Sequence, residues 1–568
     1  MNKTGVFVLL AGIAGIGCTP ETPVAPGSDS APRSPAKAVT VSSPVVDADR
    51  LVEHIKVLAS DEFEGRGVAS DGERLTVEYI AQAFRDAGLQ PAFGDSYFQE
   101  VPLVEATATP ETDLVVAGGR ESLRFSYPGD VVAWTRRLTD VATLQSSELV
   151  FVGYGTVAPE YGWDDYEGLD VSGKTVVMLV NDPGFATADP TLFRGREMTY
   201  YGRWTYKFEE AARQGARGAI VIHETEAAAY PWAVVVSSWT GPRFDLRTVG
   251  GNADRVEVEA WISTESANRL FEAAGQDLSA LRIAAASPDF EAVPLGLQAS
   301  LLIDNRMRDV ISRNVVGWLP GSQRPEETIL FSAHWDHLGR DPGLAGDQIY
   351  NGAADNATGV AALLEQARVL AAAPEPAPRS FVFAAFTAEE STLLGSLHFA
   401  QQSPFPLETM VGVLNTDRMN YLGATHDIQV RGYGASELEG YLAAAAARQD
   451  RTVVPEAFPE RGLYFRSDHF SFARYGVPGL HVRSGIDYVA HGKAWGREKE
   501  NEYTTDHYHK PSDEYAPDWD LGGAALDAEL YVEVARVLAG ESRFPAWSEG
   551  SEFRAIRAES AARRSANP

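Results

Sequence analysis

Three short stretches between residues 328 and 391 decide the fold: TILFSAHWDHLG (328–339), NGAADNATG (351–359) and FVFAAFTAEES (381–391). Each is an apolar, β-rich run, or the loop after one, ending in polar residues able to hold metal. His334 follows the apolar run 329–331. Asp355 sits in a Gly/Ala/Asn loop ahead of the helical run 360–370, and Glu389 and Glu390 follow the run 381–386. A fourth strand, MVGVLNTD (410–417), ends on Asp417, and YHKPSDE (508–514) puts His509 in a late loop. Amphipathic helices at 358–372, 391–402 and 521–540 alternate with these strands. The alternation predicts an α/β fold with a mainly parallel (mixed) sheet and helices on both faces. Sites in such sheets form at the carboxyl ends of strands.

Any one of these polar residues could be an ordinary loop residue. A His, two Asp, two adjacent Glu and a second His at successive strand ends and in one late loop point to metal instead. The candidate ligands are His334, Asp355, Glu390, Asp417 and His509, with Glu389 left free beside them. Two zinc ions sharing one carboxylate need such a set, plus a free carboxylate to take a proton from water. Eleven histidines are present. His507 competes with His509, and His491 is a minor candidate; His398 and His481 fall inside regular elements and are read as structural.

AHWDHLG, NGAADNATG, TAEES, NTD and YHKPSDE, in this order, resemble the di-zinc exopeptidase family. Secreted bacterial aminopeptidases, glutamate carboxypeptidase, glutaminyl cyclases and the transferrin receptor ectodomain belong to it. The resemblance implies two zinc ions, one on His334 and Asp417, the other on Glu390 and His509, bridged by Asp355. It implies Glu389 as general base, Asp336 as the residue that orients the ligand His334, and Tyr508 as an oxyanion partner. It favours His509 over His507, because the family's ligand precedes a Pro and acidic pattern, here KPSDE. RSDHFSFARYGVPGL (466–480) matches a segment lining the family's substrate pocket, so Arg466 and Asp468 are expected at the substrate's polar end. The resemblance also suggests a cis Asp355–Asn356 peptide bond, which would turn both carboxylate oxygens of Asp355 outward.

The implied activity is that of a zinc exopeptidase, with an aminopeptidase favoured. A glutaminyl cyclase-like single-zinc enzyme, a carboxypeptidase or dipeptidase of the same fold, and a non-catalytic receptor ectodomain are the alternatives. The complete ligand set speaks against the last. Arg418, directly after Asp417, is expected to bias the pocket toward an acidic group. No G-x-S-x-G elbow is present, and Cys18, the single cysteine, lies in the leader, so a covalent protease is disfavoured.

Outward from this centre, the chain of 568 residues is too long for one core. Residues 1–18, MNKTGVFVLLAGIAGIGC, read as an export signal of the lipoprotein type, with lipid expected on Cys18, although Gly15 stands where such signals carry Leu. Residues 19–45, rich in Pro, Ser and Ala, read as a disordered tether. The catalytic domain is expected to comprise 46–107 and 301–541. Between them, 108–300 switches to short alternating strands and resembles a smaller, β-rich protease-associated domain inserted in the family. Glu62, Glu64 and Arg66, in an early Gly-rich loop, are read as structural. Tyr200, Tyr201, Trp204, Tyr206 and Trp232 line an entrance or pack a core. Residues 542–568 form a polar tail.

The net charge of −30 argues against nucleic acid and anionic membranes as partners. The expected partner is a peptide substrate, with membrane contact only through the lipid on Cys18. With one cysteine the mature chain has no disulfide, so its stability must come from its core.

Overall fold

The computed structural model describes residues 45–119 and 121–566. The signal, Cys18 and nearly all of the tether lie outside the described residues. Elements that position the site are the helices α1 (Ala48–Leu58) and α2 (Asp71–Asp86) and the strand β1 (Val293–Leu319). They continue with β2 (Arg324–His334), α3 (Thr358–Ala371), β3 (Arg379–Phe386), β4 (Met410–Asn415), β5 (Gly479–Ser484) and α4 (Gly522–Gly540). The strands β3, β2, β4 and β5 are neighbours in that order and run parallel. The flanking pairs are antiparallel: the end of β1 against β3, and Asp427–Val430 against β5. The sheet is therefore mixed with a parallel centre.

The apolar runs are nearly continuous because both faces of this sheet are covered. Side chains alternate along a strand, so Ile329 and Phe331 turn to one face and Leu330 to the other. The first pair packs with Phe381 and Phe383 against α1, α2, α3 and α4. Leu330 packs with Val382 and Val413 against Phe399 and Phe472 on the opposite side. The rings of Phe331 and Phe383 stack with centroids 4.9 Å apart. At α2, Ser70 accepts from Glu73 N–H at 3.2 Å and Glu73 Oε2 accepts from Ala69 N–H at 2.6 Å, a reciprocal cap.

Register places the chemistry. His334 pairs with Phe386 at the last position of β2, and Ser332 pairs with Asn415 near the end of β4. His334, Glu389, Glu390 and Asp417 thus emerge at one edge of the parallel strands.

Residues 108–300 have apolar cores of their own, around Val177, Ile220 and Ile262 on one side and Val176, Val221 and Trp261 on the other. Their centre is parallel: Leu149–Phe151, Thr175–Leu179, Gly218–Ile222 and Val258–Ile262 lie side by side. The long strand β1 pairs with Phe98–Pro110 and with Val141–Phe151 before it reaches β3, so one strand runs through both regions. Tyr201 and Tyr206 are buried in a local cluster with Trp163 and Phe193, whereas Tyr200 also packs on Phe465 and Phe470. The polar stretch after 541 packs as well. Trp547 and Phe553 are buried, and Arg557 donates to the Met410 carbonyl at 3.0 Å. No helix among the described residues is long and apolar enough to cross a membrane.

Candidate metal centre

His334 Nδ1 lies 3.1 Å from the Asp336 carbonyl oxygen. That oxygen can only accept, so Nδ1 carries the hydrogen and Nε2 presents its lone pair to the site. Nε2 lies 3.3 Å from Asp355 Oδ1 and 3.7 Å from Asp417 Oδ1. On the other side, His509 Nε2 lies 3.5 Å from Asp355 Oδ2 and 3.0 Å from Glu390 Oε2. Asp355 therefore turns one oxygen to each histidine.

The Asp355 loop is built for this. The Asp355–Asn356 peptide bond is cis, as the family resemblance suggests. Asp513, in the late loop with His509, accepts from the N–H groups of Ala354 and Asp355 at 2.9 and 3.0 Å. Asn356 Oδ1 accepts from Gly359 and Arg418 N–H groups. Gly352 has φ 55°, and a Cβ there would stand 2.3 Å from the Asp355 carbonyl oxygen and 2.6 Å from the His337 ring, so only glycine fits. Arg66, wholly buried, donates to the carbonyls of Leu58, Trp335, Asn351 and Gly352 at 2.6–2.8 Å. It ties the early loop to both motif loops, a positioning role beneath the site.

Two expectations take a different form. The Asp336 carboxylate stands 3.9 Å from His334 Nδ1 and spends its oxygens elsewhere, accepting from Glu389 N–H at 3.0 Å and Glu390 N–H at 3.4 Å. It fixes the turn that carries the two glutamates, while its backbone carbonyl orients His334. Asp468, expected to meet the substrate, is instead fully buried with neither carboxylate oxygen hydrogen-bonded. Its neighbour Ser467 takes the inward place beside the site, donating to Asp417 Oδ2 at 2.7 Å. Arg466 is exposed, in the field of Tyr508, Glu389 and Glu390. The Tyr508 ring stacks on His509 with centroids 3.9 Å apart. His507 points away, with Nδ1 on the Ser512 carbonyl, and His491 stacks on Trp495. Arg418 is already occupied: it pairs with Glu500 and lies over the Tyr503 ring at 4.0 Å, which removes it as a free acid-binding group.

His337 was not singled out from the sequence. Its Nδ1 donates to Glu390 Oε1 at 2.7 Å, and His337, Asp355 and Glu390 converge closely enough to hold an ion together. The signal was the three-residue spacing from His334 in AHWDH.

The residues fit a metal. His509 Nε2 is buried without a hydrogen-bond partner although two carboxylates face it, so its lone pair and theirs converge on common space. His334, Asp355 and Asp417 form a second converging group. Six acidic side chains, Asp336, Asp355, Glu389, Glu390, Asp417 and Asp468, crowd the site; four are buried, and Glu390 and Asp417 are partly buried. Without a cation, protons must compensate. Burial works against a charged His334, but Glu389, Asp355 and Asp417 outweigh it and push the imidazole well above its ordinary value. Burial, reinforced by Glu390, Asp417 and Asp468, pushes Glu389 well above the carboxylate range. Burial also raises Asp336, to about 7. Imidazole nitrogens with carboxylate oxygens are a donor set zinc accepts.

Residues 314–532 match Peptidase family M28. This segment is a peptidase family M28 domain. Aminopeptidase NAALADL1 from Mus musculus is 30% identical over 146 residues, 24% of this chain and 18% of that protein. A probable zinc metalloprotease from Pyrenophora teres f. teres is 36% identical over 104 residues, 18% of this chain and 22% of that protein. The chain thus spans about a fifth of the length of these relatives. Among solved structures, an aminopeptidase from Aneurinibacillus sp. strain AM-1 is 20% identical, covering 88% of this chain and 95% of that one, with a TM-score of 0.47. The strands β2 to β5, and every residue of the cluster above, lie inside the M28 domain.

Proposed function

We propose that this chain is a zinc-dependent exopeptidase, an aminopeptidase that removes N-terminal residues from peptides. One observation carries the reading: Asp355 offers one oxygen beside His334 and Asp417, and the other beside His509 and Glu390. Two zinc ions would be held by these five residues, with Glu389 unengaged next to them. When bound, zinc lowers the pKa of a water and polarises the scissile carbonyl. Glu389 takes the proton of the attacking water and returns it to the leaving amine. Asp336 holds Glu389 and Glu390 by their backbone N–H groups, so base and ligand move as one turn. Tyr508, exposed and stacked on His509, is the residue we assign to donate to the oxygen on which charge develops. Export, with lipid on Cys18, belongs to this reading and rests on residues 1–18; the mass of the mature N-terminal peptide tests it.

The activity is tested with a panel of amino-acid and dipeptide anilides, with and without a chelator. Release of aniline from single amino-acid anilides, lost with chelator and restored by zinc, is the expected result. A folded, zinc-supplied protein that releases none of the panel, or whose activity ignores the chelator, would sink the proposal.

A further inference from the structure

The turn that carries Glu389 and Glu390 has an unusual backbone. Ala388, Thr392 and Leu393 lie at φ 50°, 76° and 64°, the left-handed region that suits glycine. For a β-branched residue such as Thr392 that conformation is a genuine outlier. It persists only where the surroundings over-determine it.

Part of the support comes from within the M28 domain. The Asp336 carboxylate accepts from the N–H groups of Glu389 and Glu390, and Leu393 N–H donates to the Glu389 carbonyl at 2.9 Å. The N–H groups of Leu394 and Gly395 close the turn on the carbonyls of Ala388 and Thr387, each at 3.0 Å. At Thr392 the contact comes from elsewhere in the chain. Arg136, in the region 108–300, donates from Nη2 to Thr392 Oγ1 at 3.3 Å. Its own aim is fixed: Nε donates to Asp245 Oδ2 at 2.7 Å, and the two side chains are only 14% and 8% exposed. Asp245 lies on the strand Arg243–Leu246, and Leu246 shares an apolar cluster with Ala388 and Leu394. One strand thus supplies both an apolar support for the turn and the anion that steers the arginine. Glycine would take φ 76° more readily; threonine brings the hydroxyl that Arg136 holds.

We infer that Arg136 is a positioning residue for catalysis: by holding Thr392 it fixes the turn that sets the base Glu389 and the metal ligand Glu390. The region 108–300 thereby contributes to the reaction through this turn. The inference rests on the exopeptidase reading and deepens it.

The test measures kcat, KM, zinc affinity and the melting temperature of metal-free protein in a set of variants. Thr392→Ala removes the acceptor and leaves the Arg136–Asp245 pair in place. It should lower kcat by about 10–100-fold, up to the cost of misplacing a catalytic group by about 1 Å, with KM unchanged. Thr392→Ser keeps the hydroxyl and should keep kcat. Thr392→Gly should lose kcat as Thr392→Ala does, yet melt no lower than the unaltered protein, because it sheds the backbone strain. Arg136→Ala leaves Asp245 without its cation. Combined with Thr392→Ala it should be no slower than the slower single variant, because both remove the same contact. Should Arg136→Ala not fold, the Thr392 variants decide alone. A folded Thr392→Ala that melts lower but turns over like the unaltered protein would overturn the inference, as would losses that multiply in the double variant. If no peptide is cleaved at all, the exopeptidase reading fails, and zinc affinity then decides this one. Thr392→Ala should bind zinc about 10–100-fold more weakly, the range typical of residues that orient a ligand, and Thr392→Ser should not; equal affinity in Thr392→Ala and the unaltered protein refutes it.

Discussion

Glu389→Gln should cut turnover by about 10²–10⁴-fold, the scale of general-base catalysis, while zinc content stays that of the unaltered protein. The amide keeps the shape of the side chain and cannot accept a proton. Glu389 is buried beside His334 and Asp417, and its backbone is pinned by Asp336, so the substitution should leave the turn in place. Removing a carboxylate from a site crowded with acids also relieves repulsion, so stability should not fall. The check is paired: steady-state kinetics on the best anilide, and metal analysis of the same preparation. Zinc lost together with activity would make Glu389 a ligand or a structural residue and end its assignment as base.

Removing a ligand should act the other way, on metal first. Asp355→Ala takes an oxygen from both groups at once and should abolish zinc binding and activity together. Asp417→Ala, Glu390→Ala and His509→Ala each strip one side. Each should weaken zinc binding by more than the roughly 10–100-fold typical of residues that only orient a ligand. His507→Ala is the control, since its ring turns to the Ser512 carbonyl. Zinc affinity is read by competition with a chelating dye. A His507→Ala protein that lost zinc beside a His509→Ala protein that kept it would reverse the choice between them.

The sequence made the strand-end residues legible for a physical reason. A parallel sheet buried on both faces writes its strands as apolar runs, and polar residues just past them share one edge. His334, Glu389, Glu390 and Asp417 could be read that way, and the structure brings them together. Residues that act through backbone contacts were harder to read. Arg66 binds four carbonyls and Asp513 two N–H groups, and neither contact leaves a periodic or spaced signature. His337 carried a signal in its spacing from His334 but lay among other histidines. Asp336 was read as the residue that orients His334, and the contact between them runs through its backbone carbonyl, which no side-chain pattern signals. The docking of 198–204 onto Gly462 and Phe465 left no mark either, because the two segments are far apart along the chain. The same docking explains why the aromatic residues near 200 divide, Tyr200 facing the M28 domain while Tyr201 and Tyr206 fill a core.

The bridging position of Asp355 is the centre of this account, and zinc stoichiometry tests it most directly. Metal-free protein titrated with zinc in a calorimeter, with the bound metal then counted per chain, should take up two ions, and hydrolysis should appear as the sites fill. A single ion per chain would contradict the bridged pair and favour the single-zinc, glutaminyl cyclase-like alternative, and no specific uptake would contradict the metal centre itself.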